Sequence, residues 1–210
     1  MITPVIADIV GSRQLPDRSS AQALLDTALA QVDADLPGAV RALRPIVGDE
    51  LQGLYPSLPH AMATTLLLRL ALPDGVECRF GVGIGAVGEV PSAAGGIAEG
   101  PGWWAARAAI DTVHALQSRA VPGARTWVAA AAQADADAAA SAANAYLLAR
   151  DQLVSDMTER TRRLVYGRCL GATQSDLAAG EGITQSAVSQ ALATSGAGAV
   201  VEGFRLLVAQ

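Results

Sequence analysis

Two aspartates stand where a carboxylate is costly. Asp8 interrupts the apolar run Val5-Ile6-Ala7-Asp8-Ile9-Val10. Asp49 sits in Gly48-Asp49-Glu50, between the apolar stretch ending at Val47 and the one starting at Leu51. An acid inside a buried strand is expensive unless it is paired or bound to a metal. Two carboxylates delivered from two strands are what a Mg²⁺ or Mn²⁺ ion carrying substrate phosphates requires. Asp8 and Asp49 are therefore the candidate metal ligands. The turn Gly11-Ser12-Arg13 after the first apolar run can aim backbone N–H groups at an anion. Each acid taken alone has a plainer reading, Asp8 as a strand-end acid capping the next turn and Asp49 as an ordinary hairpin acid.

The elements that position these residues follow from apolar periodicity. Residues 2–10 read as a buried strand, with Pro4 near its start, where a missing N–H is tolerated. Pro16 and Asp17 open a helix over 18–36 that carries Leu24, Leu25, Ala28, Leu29 and Val32 on one face, and Pro37-Gly38 stops it. Residues 40–47 and 50–55 read as two strands around a tight turn. A second helix covers 58–72, Pro73-Asp74-Gly75 is a turn, and 77–87 form a further strand. The order β-α-β-β-α-β is the ferredoxin-like split pattern, which places the first and third strands side by side and brings Asp8 toward Asp49. A Gly-rich stretch over 86–102, with Gly88, Gly95, Gly96, Gly100 and Gly102, reads as a flexible connection or a ligand lid. A helix then runs from Trp103 to Gln117, and 124–130 form one more strand.

Residues 131–145 are nearly all Ala with Asp and Ser. Such a stretch favours helix but has little to bury. It reads as a helical or flexible linker, so the chain divides into an α+β domain at 1–130, a linker at 131–149 and a small all-α domain at 150–210. In the last part a charged amphipathic helix spans 150–171. Thr173 to Leu192 then follows as a short helix, a turn at Gly182 and a second helix capped by Thr184, a helix-turn-helix pattern. Gln185, Ser186, Ser189 and Gln190, with Thr184, face outward where such a helix meets base edges. Arg162 and Arg163, in the cluster Arg160-Arg162-Arg163-Arg168, are the phosphate-contact candidates. Against this, residues 150–210 carry six Arg and six acids, and DNA affinity rests largely on neutralising phosphates. A structural or dimerising three-helix unit is the competing reading.

Composition narrows the partners. The 210 residues have a net charge of -5 and no Lys, so no whole-chain attraction draws the protein to nucleic acid or anionic membrane. No apolar run approaches the roughly 18 residues that a membrane span needs, and no basic-then-apolar leader opens the chain. A cytoplasmic protein without a membrane partner is expected. Cys78 and Cys169 read as core thiols, not as a disulfide. His60 and His114 stand alone, without ligand-spaced neighbours.

Two resemblances rest on these residues. Asp8-Ile9, the Gly-Asp-Glu-Leu-Gln-Gly stretch at 48–53, Gly83-Ile84-Gly85 and the pattern at 173–193 make the chain resemble the SatD family, whose name-giving member is associated with acid tolerance. Residues 1–130 also resemble the catalytic domain of class III nucleotidyl cyclases, through Asp8-Ile9-Val10-Gly11-Ser12, Gly48-Asp49, Gly83 to Gly88 and Ala105-Ala106-Arg107. That second resemblance implies that Asp8 and Asp49 hold Mg²⁺ or Mn²⁺ on a nucleoside triphosphate. It also implies nucleotide contacts at Ile9, Gly11 and Ser12, and Arg107 as the catalytic contact to phosphate charge. The chain departs from the cyclase pattern at Trp103, where the family has Asn, and at Pro45, where it has the base-selecting Lys. The expectation is a homodimeric DNA-binding regulator whose degenerate cyclase-like domain senses a nucleotide. The alternative is a divergent metal-dependent cyclase or phosphoryl-transfer enzyme.

Overall fold

The computed structural model describes residues 1–91, 97–132 and 134–209. Gly95 and Gly96 of the Gly-rich stretch lie outside them. The fold is a mixed α+β structure. Its elements in chain order are β1 (Thr3–Ile9), α1 (Arg18–Asp35), β2 (Arg41–Val47), β3 (Glu50–Tyr55), α2 (Leu58–Ala71) and β4 (Cys78–Ile84). Then come β5 (Gly88–Val90), β6 (Ile97–Glu99), α3 (Pro101–Arg119), β7 (Thr126–Ala130) and α4 (Ala134–Ser155). The chain ends with α5 (Glu159–Cys169), α6 (Gln174–Glu181), α7 (Gln185–Thr194) and α8 (Ala197–Val208). A single turn of 3-10 helix, Ser12–Gln14, follows β1.

The main sheet has the order β2-β3-β1-β4-β7. All its pairings are antiparallel except β4 with β7. The β2–β3 hairpin turns at Gly48-Asp49, where Gly48 takes a left-handed φ of 65° that favours glycine. Strand alternation assigns the two faces of the sheet. Val5, Ala7 and Ile9 of β1 and Cys78, Phe80 and Val82 of β4 join the larger core with α1 and α2. Ile6 joins Trp103, Ala106 and Ile110 of α3 on the opposite face. Both cysteines are buried and unbonded, and burial pushes each thiol up to about 12.

The glycines of β4 are explained by helix approach. A Cβ on Gly81 would lie 2.2 Å from the carbonyl oxygen of Ala106, and one on Gly83 would lie 2.0 Å from that of Gly102. The backbone of α3 therefore rests directly on the strand, and the Gly-x-Gly pattern is a packing groove.

The structure differs from the expectations in four places. The Gly-rich stretch contains a small β5–β6 ribbon. The helix expected over 150–171 is two helices, because Thr158 accepts from the amide of Thr161 and starts a new one. A further helix, α8, was not anticipated, and its Val200, Val201 and Phe204 are buried. The Ala-rich stretch is helical, but its helix is packed rather than spanning a gap. Ala140, Asn144, Leu147 and Val154 are buried along α4. Asn144 brackets β7, accepting from Val128 N and donating to Val128 O, both at 2.8 Å. The low hydrophobicity of the stretch hid this, because the inward Ala side chains let the helix axis come close and the polar Asn144 does the docking.

Asp151, which is fully buried, ties the sheet to α4. It accepts from Arg69 of α2 at 2.8 Å and from Arg150 at 2.7 Å. Its other oxygen accepts from the amides of Arg125 and Thr126 at 2.7 and 2.6 Å. Burial pushes this carboxyl up in pKa, but the Arg150 and Arg69 guanidiniums and the donated hydrogen bonds outweigh it and hold it below the usual carboxylate range. Among the described residues, no single helix is long and apolar enough to cross a membrane.

Three outcomes follow. Asp151→Ala strands two buried guanidiniums and should cost about 3–5 kcal/mol, measured by urea unfolding. Because the folded pKa of Asp151 is depressed, its stabilisation is complete above the unfolded value of about 3.9 and is lost as pH falls through the lower folded value. The acid limb of the stability curve should flatten in Asp151→Asn. Gly83→Ala should cost roughly 1–3 kcal/mol by overpacking, read in the same assay.

Candidate functional site

Asp8 and Asp49 line one cleft of about 410 Å³, together with Ile9, Gly11, Ser12, Gln14, Arg79 and His114. Three segments supply it: the end of β1 with its following turn, the β2–β3 hairpin tip, and β4 under α3. Ser12 Oγ donates to Asp49 Oδ2 at 2.5 Å, so the first turn is tied to the hairpin tip. The topology thus brings the two sequence-predicted acids into one depression.

The acid in the strand is paired rather than left for a metal. Asp8 and Arg79 are direct cross-strand partners in the β1–β4 register. Arg79 Nε donates to Asp8 Oδ1 at 2.9 Å, and its Nη2 donates to Oδ2 at 3.1 Å. Both carboxylate oxygens of Asp8 are therefore engaged by a planar guanidinium, the geometry that suits Arg best. The Arg79 side chain is 11% exposed and that of Asp8 27%. Gln117 of α3 accepts a further bond from Arg79 at 3.3 Å. Among the described residues, no group of three or more His, Cys, Asp or Glu could hold a metal ion. In this structure the cation held by Asp8 is Arg79, and Asp8 and Asp49 are the two carboxylates of the cleft.

Arg79 and His114 are the site residues that sequence reasoning missed. For Arg79 a signal existed: a lone Asp on a central strand needs a cation, and Arg79 is the basic residue of the adjacent strand. For His114 there was none, because its place in the cleft depends on how far α3 extends over the sheet.

Arg107, the candidate phosphate contact, lies on α3 and donates to Glu50 at 2.6 Å. Glu50 is the neighbour of Asp49 but is not among the residues lining the cleft. Burial raises the Glu50 pKa, yet the hydrogen bond from Arg107 and the one from Gln52 bring the net shift below the usual range. The Glu50 bond in turn raises that of Arg107. Of the two tryptophans, Trp103 is buried beneath the guanidinium of Arg41, 5.6 Å from its ring, whereas Trp104 is 62% exposed.

In the C-terminal part, Thr184 accepts from the amide of Ala187 and starts α7. Gln185, Ser186, Ser189 and Gln190 are exposed, and Val188 is buried against Leu164 and Ala178. Gly182 ends α6 in a left-handed turn with φ 63°. The arginines expected to contact phosphate have other partners. Arg162 points inward and donates to Met157 O, Leu72 O and Asp74. Arg163 bridges Glu181 and Glu159. Acids stand at helical or packing distance from both, which a count of charges along the chain does not reveal.

A profile of the SatD family matches residues 2–201. The chain belongs to the SatD family. No curated protein matches it at a significant level. This SatD-family chain is similar in structure to a guanylyl cyclase, with 16% identity and a TM-score of 0.40 over 53% of this chain and 69% of the other. It is also similar to a bacterial light-regulated adenylyl cyclase, with 13% identity and a TM-score of 0.44 over 60% and 73% of the two chains. For an adenylyl cyclase from P. aeruginosa the values are 14% and 0.37, over 56% and 81%.

The Asp8–Arg79 pair of the SatD-family chain gives a direct test. A double-mutant cycle with Asp8→Asn and Arg79→Gln should return a coupling energy of about 1–2 kcal/mol. A coupling near zero in urea unfolding would show that the two side chains act independently.

Proposed function

We propose that this SatD-family protein is a ligand-responsive regulator with a non-catalytic, cyclase-like βαββαβ half and a helix-turn-helix half. The cleft at Asp8, Asp49 and Ser12 takes a phosphate-bearing ligand of the nucleotide class, with Ile9, Gly11 and Ser12 beside it. The observation that carries this reading is the Asp8–Arg79 pair. A cleft whose strand carboxylate is already neutralised by an arginine is built to bind rather than to assemble a two-metal centre. Mg²⁺ or Mn²⁺ enters as the counter-ion of the ligand's own phosphates, with Asp49 as the nearest carboxylate. On the output side, the exposed polar face of α7 at Gln185, Ser186, Ser189 and Gln190 is suited to hydrogen bonding with base edges. Dimerisation belongs to this reading, because residues 150–210 have no net charge and one unit alone gains little from phosphate neutralisation.

The enzyme reading has one specific observation in its favour: Asp8 and Asp49 line a single cleft that also contains the Gly11-Ser12 turn. Arg107, held by Glu50, would then have to change partner to reach a reacting phosphate.

A thermal-shift titration with ATP and GTP, each with and without Mg²⁺ or Mn²⁺, separates the two. Binding at one hundred times Kd should stabilise the fold by about 2.7 kcal/mol, and the shift should vanish in Asp49→Asn. Chromatography of the same mixtures should show unchanged nucleotide; accumulation of a cyclic product by wild type but not Asp49→Asn would establish the enzyme instead. For the output, selection from a random DNA pool should yield a preferred sequence. Gln185→Ala and Gln190→Ala should each weaken binding to it about tenfold, within the 1–3 kcal/mol of one base contact, while leaving the ligand shift intact. Failure to enrich any sequence would remove DNA from the reading.

A further inference from the structure

The buried charges around Asp151 do not balance. Arg69 and Arg150 both bond the same carboxylate oxygen, and their side chains are 5% and 0% exposed. Two guanidiniums share one carboxylate, which leaves one positive charge in the interior. The nearby acids are already engaged. Glu77 holds Arg125 at 2.6 Å, and Asp74 holds Arg162 at 2.9 Å. Together the four arginines face three acids. Burial pushes the pKa of Arg69 down and Asp151 opposes that; Arg150 and Arg125 push it down again, and Glu77 opposes them. A buried charge without full compensation is costly and is normally met by a partner.

A pocket of about 210 Å³ lies beside this excess charge. Arg69 of α2, Ser155 at the end of α4 and Arg162 of α5 line it, with Val10, Cys78 and Val154 as apolar wall; Asp74 and Glu77 line it too, each already paired, with Arg162 and Arg125. Arg69 Nη2 donates to Ser155 Oγ at 3.0 Å, which fixes the guanidinium at the pocket. The buried Nε of Arg162 has no hydrogen-bond partner among the described residues. The pocket shares no lining residue with the Asp8–Asp49 cleft.

We propose that this pocket binds a small oxyanion, a phosphate or a carboxylate, between Arg69 and Arg162. The anion supplies the negative charge that Asp151 cannot give to both Arg69 and Arg150. A bidentate match between guanidinium and oxyanion provides the recognition. Because Arg69 belongs to the sheet-packed half and Arg162 to the first C-terminal helix after α4, occupancy braces the junction between them. The site is independent of the cleft reading.

The test uses the full chain with inorganic phosphate and acetate as probes, with ionic strength held constant by NaCl. Wild type should show a saturable rise in melting temperature and a concentration-dependent broadening of the phosphate ³¹P resonance. The better of the two probes identifies the source chemistry. Arg162→Gln should weaken the midpoint at least tenfold. Ser155→Asp places a tethered carboxylate beside Arg69, so it should melt higher than wild type without added anion and show no response to either probe. Equal, non-saturating shifts in wild type and both variants would mark a general excluded-solute effect of phosphate and overturn the proposal, as would the absence of any shift. If Arg162→Gln does not fold, the comparison of wild type with Ser155→Asp decides alone.

Discussion

A carboxylate with no solvent exposure ties the molecule together. Asp151 receives hydrogen bonds from a guanidinium on α2, from its own neighbour Arg150 and from two amides at the start of β7. Arg150 extends the network to Met62 O in α2 and to Thr126 Oγ1 in β7. Charges so deeply buried persist only when every partner is in place. The register of α4 against β7 and α2 is therefore fixed to within a hydrogen bond. The helices after α4 inherit their position from it, helped by Tyr166, whose hydroxyl donates to Asp35 at the end of α1.

The cleft depends on a different constraint, the nearness of α3 to β4. Glycines at 81 and 83 let the helix backbone settle on the strand. That brings Gln117 and His114 over the sheet face carrying Asp8 and Arg79. The same strand alternation that makes Cys78 and Phe80 core residues turns Arg79 toward Asp8. Packing and site chemistry are thus two faces of one strand. The pair engages both carboxylate oxygens of Asp8 with one guanidinium.

The C-terminal helices are not an appendage. Val200, Val201 and Phe204 of α8 belong to the same core cluster as Phe80 and Leu66. Leu164 of α5, Ala178 of α6 and Val188 of α7 form a small separate cluster. This leaves one polar face of α7 in solvent. It also explains why Arg162 and Arg163 are turned to acids: they hold α5 to the turn after α2 and to the end of α6.

Much of the fold was legible in the chain itself. Alternating apolar residues, prolines and glycines located β1, the β2–β3 hairpin, α1, α2 and α3 to within a few residues, and Thr184 and Gly182 marked the limits of α7 and α6. Those signals are local: hydrophobic periodicity, cap chemistry and left-handed turns act within a few positions. The same locality made Asp8 and Asp49 conspicuous as acids in apolar surroundings. What the chain alone left open was the partner of each charge. Arg79 for Asp8, Glu50 for Arg107, Asp74 for Arg162 and Arg69 for Asp151 all join positions far apart in sequence, and a pairing of that kind exists only once strands are in register and helices are docked. The chain determined which residues carry charge into the interior; tertiary structure decided what neutralises them, because electrostatic compensation in a low-dielectric core depends on distances of a few ångströms that no spacing along the chain specifies.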